Sequence, residues 1–154
     1  MVIVSACLLG IKCRYDGGNS LDERLLAMAS EVTFIPLCPE QLGGLSTPRV
    51  PAQIVKGNGE DVLNSRAKVV DASGRDVTKQ FLNGAEEVKR IAKLMRVSTV
   101  IMKEKSPSCG VRFISKNDST IEGMGVTSAL LMREGIRVIS SDEISETAVE
   151  KNDP

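Results

Sequence analysis

The chain has 154 residues, of which 42% are hydrophobic and 26% are charged, a composition typical of one soluble globular domain. No apolar run approaches the roughly 18–20 residues that a membrane-spanning helix requires, which excludes an integral membrane protein. Twenty basic residues balance twenty acidic ones, and aromatic residues make up only 3% of the chain. A nucleic acid is therefore an unexpected partner, because neither net positive charge nor a stacking surface is available.

The absence of histidine restricts the chemistry further. Without imidazole, every His-containing zinc site and every Ser-His or Cys-His catalytic pair is excluded. The N-terminal apolar run has no basic residue ahead of it, unlike a signal peptide, so we expect a cytoplasmic protein with reduced thiols. The four cysteines then become the main candidate functional residues.

Short β-branched runs predict buried strands, and amphipathic segments between them predict helices. In chain order, the predicted strands cover residues 2–4, 32–37, 68–70, 99–102 and 136–139. A Ser20-x-x-Glu23 capping box predicts one helix, apolar spacing predicts a second over residues 81–95, and a third over residues 127–134 stops at Gly135. This alternation predicts an α/β fold, a single domain with an open, mostly parallel, Rossmann-like sheet flanked by helices.

Two segments do not follow the alternation. Residues 39–67 contain several glycines and prolines, too many breakers for a long helix or strand, so we expect a functional loop there. Residues 145–154 form an acidic C-terminal tail, which leaves residues 1–144 as the predicted domain.

Three cysteines follow predicted strands. Cys7 lies at the end of the first strand, Cys38 directly after the second and Cys109 shortly after the fourth. Since the carboxyl ends of parallel strands share one edge of a sheet, these thiols are expected to converge. Three thiolates form a good mount for a 4Fe-4S cluster with one iron not bound by protein. Cys13 lies in the first loop, close enough to be a fourth ligand, but it follows no strand, and we place it outside the ligand set.

Two other interpretations of the cysteines remain open on the sequence alone. They could be buried structural thiols, although the Gly, Pro and charged residues around them are unusual for a core. They could also form a zinc site that uses all four cysteines. However, the gaps of 6, 25 and 71 residues match neither paired zinc-ligand spacing nor a ferredoxin run.

Three further groups of residues carry weaker expectations: a glycine pair before the third helix, charged residues in loops near the cysteines, and a charged run after the fourth strand. They are Gly123 and Gly125; Arg14, Asp16 and Arg49; and residues 103–105. The glycines suggest a backbone approach to an anion at a helix N-terminus, a site that could hold a phosphate, the oxygens of the base or nothing. The loop charges are expected to pair with one another or to orient substrate, and the run to be a solvated part of the loop.

Five strings of this sequence resemble the thiouracil desulfurase (desulfidase) family, long catalogued as a domain of unknown function. They are Ser5-Ala-Cys-Leu-Leu-Gly10, Cys13-Arg-Tyr-Asp-Gly17, Cys38-Pro-Glu-Gln-Leu-Gly-Gly44, Thr47-Pro-Arg49 and Lys103-Glu-Lys-Ser-Pro-Ser-Cys-Gly110. The resemblance runs through about residues 2–143. It implies an α/β domain with an oxygen-sensitive 4Fe-4S cluster on Cys7, Cys38 and Cys109, and removal of sulfur from thiolated uracil.

The residues allow such a reaction. A thiocarbonyl sulfur is a soft ligand and suits an iron with a free coordination position. Its binding would polarise the C=S bond, so that water can add at the ring carbon without net electron transfer. With no histidine, a carboxylate must accept the proton of water, and Glu40, two residues after Cys38, is the candidate, as the resemblance also implies. Ser106 and Ser108 could each donate to a ring oxygen, relay a proton or bond to the backbone of a turn, and the resemblance, which implies one serine of this motif, does not distinguish them. The expected partner is a small-molecule thiolated pyrimidine.

Two alternative functions remain open on the sequence. One is a sulfur transferase that acts on a nucleoside or a tRNA base, which the neutral net charge disfavours. The other is a non-catalytic iron-sulfur or zinc protein that senses redox state. The sequence does not fix the oligomeric state.

Overall fold

A computed structural model describes residues 1–145 and residue 149, and the predicted acidic tail lies mostly outside the described residues. The strands are β1 Val2–Ser5, β2 Phe34–Leu37, β3 Ala52–Val55, β4 Lys68–Asp71, β5 Thr99–Met102, β6 Phe113–Lys116, β7 Ser119–Glu122 and β8 Arg137–Ser140. The helices are α1 Glu23–Met28, α2 Pro39–Leu42, α3 Gly59–Leu63, α4 Thr78–Leu94 and α5 Val126–Arg133. None of the helices within the described residues combines the length and the apolar character needed to cross a membrane.

Four strands form a fully parallel central sheet in the order β2-β1-β5-β8. In the middle of β1, Ile3 lies opposite Ile35 of β2 on one side and Val100 of β5 on the other. The chain therefore leaves β1 toward β2 and later returns to the opposite side of β1. Open α/β sheets bind ligands where the strand order reverses in this way, outside the carboxyl ends of the strands. The predicted α/β class and the mostly parallel, Rossmann-like sheet are confirmed.

Helices cover both faces of the sheet. Successive side chains of each strand point to opposite faces, and the apolar side chains on each face form a separate hydrophobic layer. On one face, Val4 and Ile101 pack with Leu25 of α1. On the other face, residues of the sheet pack with Val88 of α4 and Leu131 of α5. Because helices cover both faces of the sheet, we expect a ligand to bind at the loops that follow the carboxyl ends of the strands.

The predicted loop over residues 39–67 is wrong, because this segment contains α2, β3 and α3. The breakers limit these elements to four or five residues each without preventing them. Pro39 occupies the first turn of α2, where a missing N–H costs nothing, and Asn58 caps α3. The predicted strand at residues 68–70 exists as β4, but it pairs antiparallel with β3 in a separate ribbon.

One local prediction needs correction, and one hairpin is additional to the predicted elements. The Ser20-x-x-Glu23 capping box does not form: α1 begins one residue after Asp22, whose carboxylate caps it, while the Ser20 hydroxyl accepts from Arg14. The hairpin β6-β7 was not predicted. Its two-residue turn has positive φ at both Asn117 and Asp118, the backbone that two-residue hairpin turns prefer.

Candidate active site

The carboxyl edge of the central sheet carries three of the cysteines. Cys7 lies in a short 3-10 turn after β1, two residues beyond the strand end. Cys38 follows β2 directly and is the residue before α2, and Cys109 lies in the loop after β5. All four cysteines, including Cys13, are free thiols. The structure thus places the three cysteines on the edge at which the sequence predicts them.

The thiols lie close enough to change one another's ionisation. The pKa of Cys7 lies below its ordinary value mainly because the side chain of Cys13 hydrogen-bonds to it. Negative charge on Cys109 or on Cys38 acts in the opposite direction on Cys7. Burial is the main cause that raises the pKa of Cys109, to about 12, and charge on Cys38 acts in the same direction. Cys7, Cys38 and Cys109 therefore interact electrostatically in all three pairs.

Cys13 lies among the other thiols, although it follows no strand. It is 2% exposed, and its carbonyl oxygen lies 3.8 Å from the sulfur of Cys38. A hydrogen bond from Cys38 lowers the pKa of Cys13, but a hydrogen bond to Cys7 and burial outweigh it and bring the value to about 11. The same contact with Cys13, together with burial, raises the pKa of Cys38. The position of Cys13 in the loop after Cys7 predicts this proximity, although the strand-end rule does not.

Glu40 lies in the first turn of α2, and each of its carboxylate oxygens accepts one hydrogen bond. Arg49 Nε donates to Oε1 at 3.1 Å, and the Ser108 hydroxyl donates to Oε2 at 3.0 Å. The expected pairing among the loop charges is correct for Arg14 and Asp16, which lie 3.5 Å apart. Arg49 pairs with Glu40 instead, a contact that the sequence did not indicate.

The two serines before Cys109 have different positions. Ser106 Oγ accepts hydrogen bonds from the amides of Ser108 and Cys109, at 3.2 and 3.1 Å, and lies 3.0 Å from Ser108 Oγ. Ser108 Oγ lies between Glu40 Oε2 and the sulfur of Cys109, 3.6 Å from that sulfur. Ser106 can donate to Ser108, and Ser108 to Glu40, which makes a continuous chain of hydroxyl groups to the carboxylate.

Two glycines let α2 pack directly on α4 and so position Cys38 and Glu40. A Cβ atom on Gly43 would clash with the carbonyl oxygen of Gln80, and one on Gly84 would clash with that of Pro39. The backbones of the two helices therefore meet without side chains between them. This contact fixes the short α2, which has too few residues to be stable alone.

The expectation of an anion site before α5 is wrong. The first amides of α5, those of Val126 and Thr127, donate to the carbonyl oxygens of Pro107 and Ser108. The loop that carries Cys109 thus occupies the helix N-terminus. Gly125 serves close packing, since a Cβ atom there would press on the backbone of Ser108.

Glu104 is buried rather than solvated, contrary to the expectation for the charged run. It is 2% exposed, and Oε1 accepts from the amides of Val111, Arg112 and Phe113 at 2.8–3.0 Å. Burial raises its pKa, but the hydrogen bonds from Ser140 and these amides outweigh burial and leave the pKa below its ordinary value. The ionised carboxylate thereby fixes the segment that follows Cys109.

The donor set fits an iron-sulfur cluster. Thiolates are the ligands that such clusters use, and Cys7, Cys38 and Cys109 are free thiols at one edge of the sheet that interact electrostatically in pairs. In the part of the chain that the structure describes, no three acidic or cysteine side chains are grouped tightly enough to hold a single metal ion. A four-iron cluster spreads its cysteines over several iron atoms, so its mount is wider than that of one ion.

The fold and this edge define an α/β protein with a Rossmann-like sheet and a thiol-lined site beside a partly buried carboxylate. The sequence model described as 2-thiouracil desulfurase matches residues 2–143. The chain is 48% identical over 149 residues to "Uncharacterized protein YbbK" of Bacillus subtilis (strain 168), covering 95% of this chain and 99% of that protein. A solved structure of the 4Fe-4S-dependent thiouracil desulfidase TudS shares 39% identity, with a TM-score of 0.83 over 96% of this chain and 94% of that one. The chain belongs to the 2-thiouracil desulfurase family.

Proposed function

We propose that this protein is a desulfurase that converts a thiolated uracil and water into uracil and hydrosulfide, with a 4Fe-4S cluster as its cofactor. The observation that carries this proposal is the hydrogen-bonded group of Glu40, Ser108 and Cys109 beside the interacting thiols. Family membership and the likeness to a solved 4Fe-4S-dependent thiouracil desulfidase support the substrate class and the cofactor. The four free thiols agree with a location in the reducing cytoplasm.

Cys7, Cys38 and Cys109 are the proposed ligands of the cluster. Each follows a strand of the central sheet, and each pair interacts electrostatically. Cysteines that bind a metal are deprotonated, whatever pKa they have as free thiols. With these three ligands, one iron of a bound cluster would have no protein ligand and would supply a soft Lewis acid for a thiocarbonyl sulfur, without net electron transfer.

Glu40 is the proposed general base. Each of its oxygens accepts one described hydrogen bond, which leaves acceptor capacity for a water molecule. Glu40 takes a proton from this water as the water oxygen bonds to the ring carbon that carries the sulfur. When the C–S bond then breaks, the ring carbon keeps the oxygen, the second proton of the water passes to solvent, and the sulfur leaves as hydrosulfide with the proton that Glu40 took. No electron is gained or lost.

Ser108 is the proposed proton relay between Glu40 and the departing sulfur. Its hydroxyl already donates to Glu40, and it lies on the side of the carboxylate that faces Cys109. It can pass the proton that Glu40 accepted toward the site where the sulfur leaves. Ser106 is assigned a positioning role. Its oxygen accepts hydrogen bonds from two backbone amides, and its hydroxyl contacts that of Ser108 rather than Glu40 or the sulfur of Cys109.

The experiment that tests this function is turnover of thiobases by protein prepared without oxygen. We expect sulfide and uracil to appear in equal amounts from 2-thiouracil or 4-thiouracil, and no sulfide from protein stripped of iron. Glu40→Gln should retain the visible absorbance of the cluster and lose roughly 100-fold or more in kcat. Iron-loaded protein that releases no sulfide from either base would overturn the proposal, and equal activity of Glu40→Gln would remove Glu40 from it.

A further inference from the structure

The ion pair of Arg49 and Glu40 is the most buried ion pair in the described part of the chain. The Arg49 side chain is 7% exposed and that of Glu40 15%. In the other described ion pairs the cationic side chain is at least 21% exposed. A buried pair gains little net stability, because both charges lose their hydration. A role in orienting a reactive group explains its presence better than a role in stability.

The guanidinium of Arg49 is anchored on the side away from Glu40 as well. Nη1 donates to the carbonyl oxygen of Ser46 at 3.2 Å and to Thr47 Oγ1 at 3.0 Å. Gln41, the neighbour of Glu40 on α2, donates to the same Thr47 oxygen at 2.8 Å. The planar group is thus fixed at two edges, which the single ammonium of a lysine cannot reproduce.

Glu40 is consequently held from two sides by separate parts of the chain. Arg49 holds Oε1, and Ser108 holds Oε2 from the loop that carries Cys109. Without Arg49, the carboxylate would be free to rotate about its last side-chain bond and to leave the serine hydroxyl. Small displacements of a reacting group can cost about 100-fold in rate.

We propose that Arg49 is a positioning residue that fixes the Glu40 carboxylate against the Ser108 hydroxyl in the desulfuration reaction. This inference rests on the proposed function, because it assigns Arg49 a role through the general base. The backbone around Arg49 has support that does not use the guanidinium: the Arg49 amide donates to the carbonyl of Tyr15, and the Ser46 hydroxyl donates to that of Pro48. Removal of the guanidinium is therefore expected to free Glu40 without unfolding this segment.

The test compares Arg49→Met and Arg49→Lys with a matched control, Arg66→Met. Arg66 also pairs through Nε with a carboxylate, Asp61, at 3.2 Å, but it is exposed and lies beside α3. For Arg49→Met we expect kcat to fall about 10- to 100-fold, with KM within about twofold and the iron content unchanged. Arg49→Lys should recover little of the loss, and Arg66→Met should match the unmodified protein.

The decisive arm is the double variant with Glu40→Gln. If Arg49 acts through Glu40, Arg49→Met lowers kcat in the unmodified protein but causes no further loss in Glu40→Gln. A crystal structure of Arg49→Met should show the Glu40 carboxylate away from Ser108. Losses that multiply in the double variant, or loss of iron from Arg49→Met, would overturn the inference and leave the desulfurase proposal standing. An unmodified protein that releases no sulfide would instead overturn the proposed function.

Discussion

The hydroxyl of Ser108 donates a hydrogen bond of 3.0 Å to Glu40, although the two residues are 68 positions apart. The contact joins the loop after β5 to α2, which follows β2, and so spans the two sides of β1. Cys38 lies two residues before Glu40, and Cys109 directly follows Ser108. The proposed acid–base group and two of the three proposed cluster ligands are therefore positioned by the same two segments.

This contact predicts that the two serines are unequal. Ser108→Ala removes the donor to Glu40 and is expected to lower kcat by about 10-fold or more. Ser106→Ala leaves that donor in place and should lower kcat less. It should also lower the midpoint of thermal unfolding, because two backbone amides lose their acceptor.

Rates of sulfide release, together with the iron content of each variant, check this order. Iron content separates a slower reaction from a lost cofactor. A larger loss of kcat for Ser106→Ala than for Ser108→Ala would show that Ser108 is not the relay.

Glu104 predicts a pH dependence of stability. Its pKa in the folded protein is lowered, so the ionised form favours folding. The stabilisation is complete above the ordinary glutamate pKa of about 4.3 and is lost as the pH falls through the lower pKa of the folded state. Glu104→Gln should lower the free energy of unfolding at pH 7 by about 1–3 kcal/mol.

Urea unfolding at pH 7 and at a series of acidic pH values measures both effects. The difference between Glu104→Gln and the unmodified protein should shrink as the solution is acidified. Glu86→Gln is the matched control, because Glu86 is exposed and pairs only with Lys89 among the described ion pairs. A constant difference at every pH would show that the charge of Glu104 contributes nothing.

The contact between α2 and α4 predicts that a single methyl group disturbs the site from a distance. Gly84→Ala places a Cβ atom against the carbonyl of Pro39 and should displace α2, at a cost of about 1–3 kcal/mol. Because α2 follows Cys38 and carries Glu40, the variant should also retain less iron and react more slowly.

Asn83→Ala tests the specificity of that effect. Asn83 is exposed on the same helix, so its replacement by alanine should leave the iron content and the rate unchanged. Gly84→Ala with full iron content and full activity would show that the close packing of the two helices does not position the site.

The sequence was most informative where local patterns coincide with a general rule of folding. The runs that became β1, β2, β5 and β8 each contain β-branched residues, and parallel strands present their carboxyl ends together. The positions of Cys7, Cys38 and Cys109 at that edge followed from this rule. The run at β4 looked the same, but a β-branched run does not say which strand it pairs with, and β4 lies in a different sheet.

Contacts between distant loops could not be predicted, because no periodic pattern encodes them. Arg49 and Glu40 lie in a segment expected to be a loop, and only the folded α2 aligns their side chains. The burial of Glu104 was missed because three consecutive charged residues usually face solvent. The turn of β6-β7 did carry a local signal, since Asn117 and Asp118 both favour positive φ.

Replacement of each cysteine by serine separates the ligands from the fourth thiol. We predict that Cys7→Ser, Cys38→Ser and Cys109→Ser lose most of their iron, whereas Cys13→Ser keeps it. Cys13 is at least as buried as the other three cysteines and hydrogen-bonds to two of them, which makes it a stringent control. Iron loss from Cys13→Ser, with iron retained by one of the other three, would change the ligand set.

The central claim is that three sulfur atoms at the sheet edge hold a four-iron cluster with one open position. It is tested most directly by the iron and acid-labile sulfide content of protein prepared without oxygen. The account predicts about four iron and about four sulfide per chain. A protein that contains zinc and no iron or labile sulfide under these conditions would contradict it.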